Sequence, residues 1–220
     1  HYPLRRQRQM CIRDRSTLSI NKAQTINKYQ KKIWVAIGID NYTKWPKLIN
    51  PVSDINKIDN FFNEKNFNII KISNENATKS KIEQIFKEYL FQNLDSNDLL
   101  VFSFHGHGTI LKINTKEYGF IVPSNAPKDA TPYDLISIED ITNWTKYLKS
   151  NHVLVVLDCC FSGFAVLRGI EDEQFSEPVI NKVLSQKNKI VITAGNSNQL
   201  VSDGGWGNNS IFTGLLLSFF

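Results

Sequence analysis

Short runs of consecutive apolar residues alternate along the chain with segments whose apolar positions recur every three or four residues. The runs are KIWVAIGID (32–40), NIIKIS (68–73), LLVFSFHGHGT (99–109), HVLVVLD (152–158) and NKIVITAG (188–195). They show little polar alternation, so each reads as a strand covered on both faces. Between the first two, PVSDINKIDNFFNEKNF carries Ile55, Ile58, Phe61 and Phe62 at helical spacing, with Pro51 and Ser53 near the start. This predicts a helix from about Ser53 to Glu64. ATKSKIEQIFKEYLFQNL (77–94) aligns Ile82, Ile85, Phe86 and Leu90 on one face and reads as a second helix. SIEDITNWTKYLK (137–149) reads as a third, and SIFTGLLLSFF (210–220) starts another. Asp95–Asp98 is a turn, ILKINTKEYGFIVPSNA (110–126) a hairpin-like insert, and RGIEDEQFSEP (168–178) an acidic, apolar-poor segment expected to be a mobile loop.

Strands alternating with helices predict an α/β fold around a mostly parallel sheet of about six strands, the last expected beyond the end of this sequence. The chain stops inside a predicted helix and is read as a fragment. A length of 220 residues with 41% hydrophobic content suits one core and one domain. No apolar run approaches the ~18–20 residues of a membrane span. The N-terminus, HYPLRRQRQMCIRDRS, is basic but lacks the apolar middle of a signal peptide.

The segment MCIRDR (10–15) has the look of a translated sequencing adaptor, so residues 1–15 are expected to be non-native or disordered, and 16–30 a lead into the domain at 31–220. Those first residues hold five arginines and one aspartate. Without them the formal net charge falls from +5 to +1, which removes the electrostatic argument for nucleic-acid binding. Neither a membrane nor a nucleic-acid partner is expected.

The same trimming removes Cys11 and leaves the neighbours Cys159 and Cys160, after the run HVLVVLD. A disulfide, a metal, core packing and a nucleophile all compete to explain that pair. Bridging adjacent cysteines closes a strained ring, and the absence of any disulfide framework suits a reducing, cytoplasmic compartment. There is no CxxC and no second cysteine cluster for zinc. HGHG (105–108) invites a metal reading as well, with two histidines read as sharing one strand face. Zinc needs three or four ligands, however, and no acid or thiol lies at matching spacing; no metal is expected. In open α/β sheets chemistry gathers at the carboxyl ends of the strands. If the strands ending in HGHG and DCC are neighbours, a histidine faces a cysteine. A cysteine of ordinary pKa ~8.5 is then activated by the imidazole beside it, and the N–H groups of Gly108 and Cys160 become candidates for holding an oxyanion.

These residues carry a resemblance. FHGHGT and DCCFSG are similar to the S-G-H-G and D-x-C-x-S-G motifs of the caspase–metacaspase superfamily of cysteine peptidases. The 53 positions from His107 to Cys160 match the roughly fifty expected of that family. WVAIGIDNY, VSDI and ITAGNSNQLVSDGG…SIFTGLLL resemble its first strand and turn, the start of its first helix, and the segment after its fifth strand. The resemblance runs from about Lys31 to the end and is closest to prokaryotic metacaspase-like proteins. It implies a caspase–haemoglobinase-like three-layer sandwich, His107 as general base and acid, and Cys160 as nucleophile. It also implies Asp158 and Asp54 as acids of the primary substrate pocket, with His105 in the pocket wall where relatives have serine. Cys159 falls on the variable position and is expected to pack in the core.

Two pocket carboxylates would select Arg or Lys before the cut, so the expected partners are proteins or peptides with a basic residue there. Arg168-Gly169 is a candidate self-processing site. No cofactor is expected. Calcium activates some relatives, but no calcium ligands can be placed in this sequence. The competing reading is a catalytically silent caspase-like interaction module. Residue by residue, plainer explanations stand beside these: Asp158 as a turn cap and Asp54 as a charge at a helix N-terminus.

Overall fold

The structure, a computed structural model, describes residues 29–159 and 188–193. Five strands form one parallel sheet: β1 (Lys32–Gly38), β2 (Asn68–Ser73), β3 (Leu99–His105), β7 (His152–Asp158) and β8 (Asn188–Thr193). Their spatial order is β2-β1-β3-β7-β8. The strands ending in HGHG and DCC are therefore direct neighbours, in a register that sets His105 opposite Asp158 and, on its other side, Gly38.

The apolar runs divide by alternation between two faces, as side chains on a strand must. Ile33, Val35 and Ile37 of β1, with Leu100, Phe102 and Phe104 of β3 and Val153, Val155 and Leu157 of β7, enter the larger buried cluster. There they meet Ile82, Ile85, Phe86 and Leu90 from the second helical segment, and Ile138 and Ile141 from the helix α4 (Ile138–Tyr147). Trp34, Ala36 and Val101 face the other way, against Ile55 and Ile58 of the helix α1 (Pro51–Glu64). Both faces are covered, and the expected three-layer α/β arrangement is observed.

Helix α1 begins two residues earlier than the sequence suggested, because Pro51 is tolerated in the first turn. The Asp40 carboxylate accepts from Val52 N–H and ties the helix start to the end of β1. Gly38 is required at that contact: a Cβ there would lie 2.9 Å from both Ile55 Cδ1 and the Pro51 carbonyl oxygen. The second helical segment runs as α2 (Lys79–Gln84), a π-helical stretch (Ile85–Leu90) and a short α3 (Phe91–Asn93). Helix α4 opens on a capping box, with Ser137 Oγ accepting from Asp140 N–H while the Asp140 carboxylate accepts from Ser137 N–H. The hairpin-like insert is a separate antiparallel sheet of β4 (Gly108–Ile113), β5 (Lys116–Ile121) and β6 (Ile136–Ser137). Its tight turn holds Asn114 at φ 56°, a left-handed conformation asparagine tolerates.

Candidate active site at the carboxyl edge of the sheet

Two clusters form where β1, β3 and β7 end, one on each histidine of HGHG. The expectation that these histidines share a strand face fails. β3 stops at His105, and the chain turns at Gly106 before His107. The turn is tight because Gly106 passes against an aromatic wall. A Cβ at 106 would stand 2.6 Å from the Tyr42 hydroxyl and 3.0 Å from Phe104 Cζ.

His107 is half-buried and held from three directions. Its backbone N–H donates to the Tyr42 hydroxyl at 3.0 Å, and that hydroxyl donates to the Val122 carbonyl at 3.0 Å. Its ring lies against Tyr42 and Trp45, with centroids 4.8 and 5.7 Å away. Its Nε2 is 2.8 Å from the carbonyl oxygen of Pro46. A carbonyl only accepts, so Nε2 carries the proton and Nδ1 keeps the lone pair. The tautomer is fixed by the backbone. Burial drives the Tyr42 phenol far above its ordinary pKa. The hydrogen bond from His107 N–H pulls down, while the charges of Cys159 and Asp40 add to the rise. Tyr42 therefore stays a neutral hydroxyl that accepts and donates at once.

Gly108 opens β4 opposite Ile121. Val122 N–H donates to the His107 carbonyl at 2.9 Å. This makes Gly108 and Ile121 a pair that exchanges no hydrogen bonds, so the Gly108 N–H is directed away from β5.

The second cluster lies on the α1 face. Counting by twos from Val101 puts Ser103 and His105 on that face, and counting back from the core-facing Leu157 puts Asp158 there too. Asp54 reaches the same place from α1, as the one charged member of a buried stripe with Pro51, Ile55 and Ile58. His105 Nδ1 is 3.2 Å from Asp158 Oδ2. One ligand atom from each of Asp54, His105 and Asp158 lies within 4.8 Å of the others. Their exposures are 1%, 1% and 7%.

The structure thus brings Asp54, His105 and Asp158 together and sets His107 and Gly108 apart from them. Cys159 is buried in the larger apolar cluster, as expected of a core residue. Cys160, Arg168 and the acidic loop lie outside the described residues. Sequence reasoning missed Tyr42, Trp45 and Pro46. Their signal is DNYTKWP, an aromatic-rich turn directly after a buried strand, and it went unused.

A family model for the caspase domain matches residues 31–220. The chain belongs to the caspase-domain family. Comparison with curated proteins gives no match. Among solved structures the caspase-domain chain is similar to the protein GSU0716 from Geobacter sulfurreducens. The two share 18% identity over 86% of this chain and 81% of that one, with a TM-score of 0.61. At that identity the likeness speaks for the fold alone. Membership in the family suggests cysteine-peptidase-like function for this domain. Among the described residues no helix is long and apolar enough to cross a membrane.

Proposed function

We propose that this caspase domain is a cysteine endopeptidase that reacts through His107 and Cys160 and cleaves after arginine or lysine. The observation that carries the reading is the setting of His107. With Nε2 committed to the Pro46 carbonyl, Nδ1 is the nitrogen left to exchange a proton. His107 also follows the strand that pairs with β7, the strand leading into Cys160.

In this mechanism Nδ1 takes the thiol proton of Cys160, and the thiolate attacks the scissile carbonyl carbon. The carbonyl electron pair moves to oxygen, and the oxyanion accepts hydrogen bonds from the N–H groups of Gly108 and Cys160. The outward N–H of Gly108 suits that task. Collapse breaks the C–N bond, and the imidazolium gives its proton to the departing amine. Water then loses a proton to His107, attacks the thioester and releases the acid, which restores the thiol. Asp54 and Asp158 supply negative charge for the basic side chain, with His105 bonded to Asp158 inside the same cluster. The segment around Arg168 is a substrate of the same chemistry in cis.

The test uses peptides with a reporter after Arg, Lys or Asp, given to the wild type, Cys160→Ala and His107→Ala over a range of calcium concentrations. Cleavage after Arg or Lys by the wild type alone is expected, with intact mass recording any cut near Arg168. Cleavage preserved in Cys160→Ala refutes the nucleophile, and preference for Asp refutes the pocket. No cleavage by the wild type at any calcium level returns the chain to the reading of a silent interaction module.

A further inference from the structure

We infer that Asp54, His105 and Asp158 form a binding site for a divalent transition-metal ion of the zinc class, built into the floor of the carboxyl edge of the sheet. No two of these residues are near in sequence. They come from the first turn of α1, the last residue of β3 and the last residue of β7. Local spacing around HGHG had offered no acid to join a histidine; the fold supplies two.

The donor set decides the class of ion. Zinc-like ions take imidazole nitrogen and carboxylate oxygen at about 2.0–2.2 Å, often with three protein ligands and a fourth position for water. Calcium and magnesium favour oxygen alone, and a histidine in the middle of the set disfavours them. A tetrahedral ion with arms of that length separates its ligand atoms by about 3.4 Å. His105 Nδ1 and Asp158 Oδ2 already stand at 3.2 Å, and a small inward shift of Asp54 completes the set within the 4.8 Å envelope.

Burial points the same way. Asp54, His105 and Asp158 are 1%, 1% and 7% exposed, and two buried carboxylates beside an imidazole nitrogen form a donor set that suits such an ion.

The inference rests on the placement of three side chains and not on the peptidase reading. Where that reading also holds, a bound ion and a basic substrate side chain exclude each other from the same carboxylates.

The experiment titrates cobalt(II), a visible-absorbing stand-in for zinc, into the full chain carrying Cys160→Ala. That substitution keeps the nucleophile's sulfur out of the measurement and makes activity irrelevant to it. The expected result is one equivalent of cobalt with d–d absorption of a low-coordinate N/O site, displaced by one equivalent of zinc, and a rise in melting temperature. Adding His105→Ala is expected to weaken the affinity by at least about a hundredfold and abolish the thermal rise, since losing a ligand costs more than the 10–100-fold of a supporting residue. Adding Asp54→Asn provides a second variant should His105→Ala fail to fold, and it is expected to weaken binding in the same direction. Absence of binding by Cys160→Ala overturns the proposal. So does equal affinity in the folded variants, because the ion would then be held elsewhere.

Discussion

Removing the Tyr42 hydroxyl tests the support of His107 independently of any enzymatic assay. In Tyr42→Phe the ring and its burial remain, and one oxygen is lost. That oxygen accepts from His107 N–H and donates to the Val122 carbonyl, both at 3.0 Å. Val122 is 0% exposed, so water cannot replace the lost donor there, and an unsatisfied buried carbonyl costs about 1–3 kcal/mol. The N–H of half-buried His107 can recover part of its bond from water and adds less. The sum is about 2–3 kcal/mol. For a chain of this size that corresponds to a melting point lower by about 4–12 °C.

Gly106 makes the test sharper. A Cβ in Gly106→Ala meets the Tyr42 hydroxyl at 2.6 Å and the Phe104 ring at 3.0 Å. Over-packing of this kind costs about 1–3 kcal/mol. Phenylalanine at 42 removes the closer of the two obstacles and leaves the other. The double variant should therefore be less damaged than the two single losses together, by about 1 kcal/mol, a coupling expected of residues in contact. Denaturant unfolding of the four proteins measures the cycle. If the peptidase reading holds, Tyr42→Phe also lowers kcat more than it raises KM, because the base moves while the pocket carboxylates stay. A coupling within about 0.5 kcal/mol of zero, with an unchanged melting point in Tyr42→Phe, would refute the account of how His107 is held.

Two further outcomes are expected. Ser103→Ala leaves the fully buried indole N–H of Trp34, now 3.0 Å from Ser103 Oγ, without its acceptor; unfolding should register a loss of about 1–3 kcal/mol. Asp134 is held below the ordinary carboxylate range, first by the Thr131 hydroxyl, then by the Thr131 backbone N–H, with Lys79 helping. Its lowered folded pKa means that its contribution is present above the unfolded value and fades as pH falls through the folded one. Thr131→Val removes the hydroxyl, so a carboxyl-carbon NMR titration should show Asp134 rising toward its ordinary value; an unmoved titration would contradict the assignment.

The parallel sheet was legible because each strand announces itself by local composition, and the helices by a period of three to four. Neighbouring of β3 and β7 was conditional in the sequence, since strand order depends on where helices cross, and it is the packing of both faces that settles it. Some features have no local signature at all. The Pro46 carbonyl that fixes the tautomer of His107 is a backbone atom that any residue would supply. The π-helical stretch at Ile85–Leu90 keeps an apolar pattern that reads equally well as ordinary helix. The shared face for His105 and His107 failed for a more specific reason. Alternation holds only while the chain remains a strand, and β3 ends at His105, with Gly106 against its aromatic wall, two residues before the second histidine could obey it.

His105 shows what a readable residue can still conceal. Its face follows from counting by twos along FSFH, and the face of Asp158 from counting along HVLVVLD. Asp54 is visible as a carboxylate on an otherwise apolar helical stripe, where a charge is costly unless something meets it. Each of the three is an anomaly in its own element. Only the register β1-β3-β7, with α1 tied to the end of β1 by Asp40 and Gly38, turns three separate anomalies into one site. Resemblance to relatives supplies an explanation for the two acids, as receptors for a basic side chain, but none for an imidazole set among them. A serine there leaves the acids open to the substrate. A histidine bonded to one of them gives the cluster a nitrogen of its own, and it is this nitrogen that the proposed coordination of a metal ion uses.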